Sequence, residues 1–238
     1  MNTARRATAI AGALVIVGMV AGVFSVVPAI EEPHYLDLIS AHESQIIIGA
    51  ASQFIMIPAY VGFALYLYPT LRMANEALSL GFLGFRMIAA TFHLVGVILL
   101  PLFLVLGQEF TQAGAVGASH LGSLGELLRT GRDLVNHAGV IISLSLGDLL
   151  LFAILYRWRF VPCWLSVWGI LGAGLAMLAS FLVLFRVTDV VTPLYLSMNA
   201  PLALQTLVLA VWLITRGFDT KALTITAPDN RADSYGML

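Results

Sequence analysis

The chain has 238 residues, of which 60% are hydrophobic and only 11% charged, and its formal net charge is −1. Soluble domains carry about 25% charged residues, so this composition excludes an ordinary water-soluble surface. The lack of a basic tract excludes nucleic-acid binding, and a single cysteine, Cys163, excludes an internal disulfide or a cysteine-based metal cluster.

Six apolar stretches follow one another, at roughly Ala7–Ile30, Glu43–Tyr68, Leu78–Leu106, Arg132–Tyr156, Pro162–Val187 and Leu194–Thr215. A span needs roughly 20 apolar residues, and each stretch suffices. The first follows Arg5 and Arg6, and Val27-Pro28-Ala29 resembles a cleavage site, but the run exceeds a signal-peptide core and reads as an uncleaved helix. Within it, Gly18 and Gly22 form a GxxxG pair, and Gly172, Ala176 and Ser180 line one side of the fifth stretch. Both patterns suit close helix contacts. The long connection from Gly107 to Thr130 carries Leu121, Leu124, Leu127 and Leu128 at helical spacing, which reads equally as a short helix on the outer membrane surface or as an irregular cap on the bundle. Residues 1–217 thus form a six-helix transmembrane domain, and the polar stretch 218–238 is expected to be a disordered cytoplasmic tail.

Positive charge orients the bundle. With both termini in the cytoplasm, Arg5, Arg6, Arg72, Arg157, Arg159, Arg216 and Lys221 lie inside. Arg129, Arg132 and Arg186 lie outside, with Glu31, Glu32, Asp37, Glu109, Glu126 and Asp189.

Two charges fall well within spans. Arg86 and Asp148 both sit ~12–14 Å from the inner boundary by helix rise. Equal depth and opposite sign predict a buried pair, whose simplest role is to neutralise itself and dock the third helix on the fourth. His93 lies seven residues beyond Arg86 on the same face, and Asp133, His137 and Asp148 share a face of the fourth span. With Glu43 at the outer end of the second span, these residues outline a polar pathway from the outer surface toward Asp148. The two histidines differ in depth, ~22 Å against ~30 Å, too much for a shared haem. No zinc, phosphate-loop or nucleophile motif is present, so no cofactor or metal is called for and no catalytic residue is assigned.

Three segments resemble a bacterial membrane family catalogued as domain of unknown function 4386. They are Asn75-Glu76-Ala77-Leu78-Ser79-Leu80-Gly81 with Phe85-Arg86, the run Val161–Gly169, and the run Leu209–Phe218. The opening Ala21-Gly22-Val23-Phe24-Ser25 fits as well. The resemblance implies a multi-helix inner-membrane protein and brings no established activity. Members of that family carry an acid one turn after the span-three arginine and another after the span-six glutamine. Here those places hold Ala89 and Thr206, which leaves Asp148 as the substitute partner of Arg86.

The expectation is therefore an all-α bundle of six transmembrane helices in a bacterial plasma membrane. Its partner is the lipid bilayer, together with a small apolar ligand in a cavity lined by Arg86, His93, His137 and Asp148. The alternatives are an intramembrane enzyme acting on lipid or quinone, with His93 or His137 in acid/base chemistry, and a structural membrane subunit. Oligomeric state is not legible.

Overall fold

The computed structural model describes residues 3–32, 34–113, 115–190 and 192–219. Among them there are helices and no strands. Six long helices are apolar enough to cross a membrane. We number them α1 (Thr3–Phe24), α2 (Glu43–Leu71), α3 (Glu76–Gln112), α4 (Ala115–Asp133, Leu134–Val140 and Ile141–Arg157, read as one continuous helix), α5 (Cys163–Leu184) and α6 (Pro193–Thr215).

Each helix packs against its neighbours in sequence, and α6 closes back on α1. The result is a ring. Short turns dictate most of it, because a connection of a few residues can only return the chain antiparallel. Closure needs more. Gly12 of α1 lies where an added Cβ would sit 2.6 Å from the Ala210 carbonyl of α6, so the two backbones are nearly in contact. Arg5 then donates from Nη1 to the Leu213 carbonyl (2.8 Å) and from Nη2 to those of Ile214 (2.6 Å) and Thr215 (2.7 Å). A cation at the last turn satisfies carbonyls that have no helical partner and complements the helix dipole. The start of α1 and the end of α6 therefore lie on one face of the bundle, the terminal face. The opposite face we call the hairpin face.

The small-residue patterns mark real close approaches. A Cβ at Gly18 would lie 2.8 Å from the Tyr60 ring of α2, and one at Gly22 would lie 3.6 Å from Met56. A Cβ at Gly172 would lie 3.0 Å from the Leu202 backbone of α6. Ala176 and Ser180 beside it are buried, with the Ser180 hydroxyl donating to the Ala176 carbonyl (3.0 Å).

Three details differ from the sequence reading. First, α1 stops at Phe24, six residues short of Ile30. Pro28 disfavours helix at the residue before it and supplies no N–H, so the chain makes a separate short turn at Pro28–Ile30.

Second, no separate helix lies on the outer membrane surface. The α3 helix runs on to Gln112 and α4 begins at Ala115, so the two form a helical hairpin. At 37 residues α3 spans ~55 Å, well over the ~30 Å hydrocarbon thickness. Its far end therefore projects from the bilayer unless steeply tilted. Of the four leucines, Leu121 and Leu128 pack on a buried cluster of Tyr35, Leu36, Leu100 and Phe103. Leu124 and Leu127 stay exposed. The stripe thus meets protein from the α1–α2 connection rather than lipid. Arg129 caps that cluster, 5.4 Å from the Tyr35 ring centre. Burial, reinforced by the Glu126 carboxylate, pushes the Tyr35 hydroxyl up to about 12, with Arg129 opposing.

Third, Phe218 and Asp219 are ordered. Phe218 packs on Phe160 with ring centres 5.0 Å apart, and the Asp219 N–H donates to the Phe160 carbonyl (2.9 Å). The rest of the expected tail, 220–238 with Lys221, lies outside the described residues.

Because Gly12 touches backbone, Gly12→Val should cost ~1–3 kcal/mol by overpacking the ring closure. Gly174→Ala, which meets open space inside α5, should instead stabilise by about 0.5–1 kcal/mol. Thermal unfolding of the two purified variants in detergent compares them directly.

Candidate functional site: a central cavity with a buried ion pair

A ring of six helices with none at its centre leaves a hole, and here it is a cavity of about 250 Å³. Every helix contributes to its wall. Most of the lining is apolar, including Val15, Phe63, Leu151, Leu202 and Leu209. Six polar residues interrupt it: Tyr60, Arg86, Ser145, Asp148, Asn199 and Thr206. All but Asn199 lie about ten residues from the terminal-face end of their helices, ~15 Å deep by helix rise. They form one polar layer contributed by α2, α3, α4 and α6.

The layer is built around an ion pair. Arg86 of α3 donates from Nη2 to Oδ1 of Asp148 on α4, and the residues are only 6% and 8% exposed. The pairing expected from equal depth is thus found. Glycine makes room for it. A Cβ at Gly147, beside Asp148, would lie 3.2 Å from Phe85 Cβ and 3.4 Å from the Phe82 carbonyl, so α3 and α4 approach closely at this level. Aromatic rings surround the guanidinium, with centroids at 5.9 Å (Tyr60), 5.2 Å (Phe63) and 5.4 Å (Phe82) from its carbon. Ring faces are attractive to a cation and compensate part of the lost hydration. A lone charge at mid-bilayer costs ~2.5–3.5 kcal/mol on insertion scales, so neither partner is comfortable without the other. The Arg86 Nε–H and the Ser145 hydroxyl remain buried without a hydrogen-bond partner.

The other expected pathway residues separate into three places. His93 is buried beside the Tyr60 ring (centroids 6.4 Å apart) in a narrow niche with Ala89, Val140 and Leu144, and its Nε2 has no partner. His137 lies higher, in the stretch Leu134–Val140, where α4 adopts π-type winding. It shares a 2.7 Å hydrogen bond with the Tyr195 hydroxyl of α6. Such π segments concentrate at functional sites. Asp133 opens onto a second pocket of about 430 Å³ on the hairpin face, with Glu31, Arg129, Arg186 and Asp189. Behind it, buried Arg132 lies 3.6 Å from Glu31 and 3.5 Å from Asp133. Glu43 stands apart, exposed at the start of α2 and in none of these pockets.

Along α4, His137 stands between residues of the two pockets. One turn of α4 toward the hairpin face, Asp133 and Leu134 line the charged pocket, while one turn the other way Ile141 lines the central cavity. On α6, Tyr195 stands one turn from Asn199, whose side-chain nitrogen donates to the Tyr195 carbonyl (2.9 Å).

Tyr60, Ser145, Tyr195, Arg132 and Glu31 were not singled out from sequence. Ser145 carried a usable signal, since it sits three residues before Asp148 on the same helix face. Tyr195 carried none. Ala89 borders the His93 niche, and Thr206 lines the cavity. Gln205 is turned away from the cavity, fully buried, and donates to the Leu165 carbonyl (3.0 Å), tying α6 to α5. Among the described residues, no three of the His, Cys, Asp and Glu side chains gather closely enough to hold a metal ion.

A family model described as a domain of unknown function (DUF4386) matches residues 10–217. The chain belongs to that family. The match begins in α1, ends just after α6, and so takes in the whole ring with its cavity. No curated protein and no solved structure matches the chain.

Because each partner would be left charged and alone, Arg86→Met or Asp148→Leu by itself should cost ~3–5 kcal/mol. The double variant should recover most of that loss. A double-mutant cycle on the purified protein measures the coupling.

Proposed function

We propose that this protein binds a small, mainly apolar molecule in the central cavity, and that the cavity is reached from the hairpin face past His137 and Tyr195. The observation that carries the proposal is a largely apolar hole lined by all six helices, with five of its six polar residues at one depth. A core evolved only to be stable would fill that volume, because an unfilled cavity destabilises in proportion to its size. At about 250 Å³ the space lies between an apolar cavity that holds benzene and pockets for drug-sized ligands, which suits about ten to fifteen non-hydrogen atoms.

The polar pathway of Arg86, His93, Asp133, His137 and Asp148 is part of this proposal, and Glu43 is left out of it. The setting is the plasma membrane of a bacterium, with both chain ends in the cytoplasm. Arginine supports that orientation: Arg5, Arg6, Arg72, Arg157, Arg159 and Arg216 lie toward the terminal face, against Arg129, Arg132 and Arg186 toward the hairpin face.

Naphthalene is a suitable probe. It should bind the detergent-purified protein saturably, one molecule per chain, and Leu144→Trp, which extends a cavity-lining side chain into the space, should abolish that binding. Uptake no greater than that of empty micelles, unchanged in the variant, would sink the proposal.

Orientation has its own measurement. The exposed Cys163 at the start of α5 is the chain's one cysteine and faces the terminal side. A membrane-impermeant thiol reagent should label it in inverted vesicles and not in intact cells.

A further inference from the structure

We infer that the central cavity selects uncharged molecules carrying a single hydroxyl or carbonyl oxygen, and rejects both anions and cations. The inference rests on the binding proposal above and adds the chemistry of the ligand.

Charge balance comes first. Arg86 and Asp148 are the only charged groups in the cavity wall among the described residues, and they neutralise each other. A ligand ion at the same depth would meet no counter-ion of its own, in surroundings that solvate charge poorly.

The geometry closes the obvious way round this. A carboxylate could seek the guanidinium, but three aromatic rings surround Arg86, and Asp148 already takes its Nη2. An incoming anion that shared the guanidinium with Asp148 through its remaining N–H groups would leave a net negative charge buried, and one that took Nη2 would strand Asp148. A cation that shared Asp148 would leave a net positive charge buried in the same way. The pair that makes the cavity polar also makes it closed to ions.

Besides the Arg86 Nε–H, the groups left free along the cavity wall are neutral. The Tyr60 and Thr206 hydroxyls and the Asn199 side-chain oxygen make no hydrogen bond with any described residue. The Ser145 hydroxyl is a buried orphan beside them. Three hydroxyls and an amide oxygen can each serve one ligand oxygen, as donor, acceptor or both. Apolar residues lie on both sides of this level, with Phe63, Leu151 and Leu209 toward the terminal face and Met19 and Ile141 toward the hairpin face. Asn199 stands at the level of Met19 and Ile141, so apart from that one amide a ligand's second polar group would meet hydrocarbon.

Four bicyclic probes of nearly equal size separate the possibilities: naphthalene, 2-naphthol, 2-naphthoate and naphthylmethylammonium. Each is measured at pH 7 on the full-length protein in detergent, relative to its partition into protein-free micelles. Naphthol should bind about tenfold more tightly than naphthalene, the gain expected of one or two neutral hydrogen bonds. Naphthoate and the ammonium should bind at least tenfold more weakly than naphthalene. Ser145→Ala with Thr206→Val should cut the preference for naphthol over naphthalene at least threefold, and saturable naphthalene binding by the variant shows that it is folded. Naphthoate or the ammonium binding as well as naphthol overturns the inference, as does naphthol binding no better than naphthalene. In both cases the cavity proposal stands. Absence of saturable naphthalene binding removes both together.

Discussion

Lipid offers no hydrogen bonds and almost no solvation for charge. A guanidinium and a carboxylate roughly 15 Å inside a bundle therefore depend on each other. Much of the arrangement around them follows from that dependence. Gly147 brings α4 against α3 so that the side chains can meet, and three aromatic rings close around the cation. Hydroxyls from α2, α4 and α6 share the same level. The ring architecture gives this layer an inside. Each helix touches the next, the last touches the first, and no helix occupies the middle.

Above the central cavity the chain changes character. The His137–Tyr195 hydrogen bond spans α4 and α6 where α4 loosens its winding. Beyond it lies a charged, open pocket with Glu31, Asp133 and Asp189 balanced by Arg129 and Arg186. The two compartments differ in the property that matters for a ligand. The outer one resembles water in its tolerance of charge, and the inner one does not.

The fold was largely legible in the sequence, and so was the heart of the site. Six apolar stretches give six spans because lipid forces backbone groups to pair within a helix. Arg86 and Asp148 gave themselves away through depth, a quantity that helix rise converts directly from residue number. The cavity was harder. Whether facing residues fill the middle of a ring depends on how six helices turn about their axes, and no single helix records that. Leu121 and Leu128 were misread for a related reason: their spacing shows an apolar stripe but not whether lipid or the Tyr35–Phe103 cluster covers it. The early end of α1 was visible in Pro28 and was outweighed by the length of the apolar run.

Ring closure also sets an order of assembly. Arg5 must wait for carbonyls more than 200 residues further along the chain. Until α6 arrives, α1 presents Gly12 and Val15 to open membrane, and the wall of Arg86 and Asp148 has a gap on one side. The chamber comes into existence only once α6 has been made and packed, when a nearly complete crescent becomes a closed circle around whatever then occupies its centre.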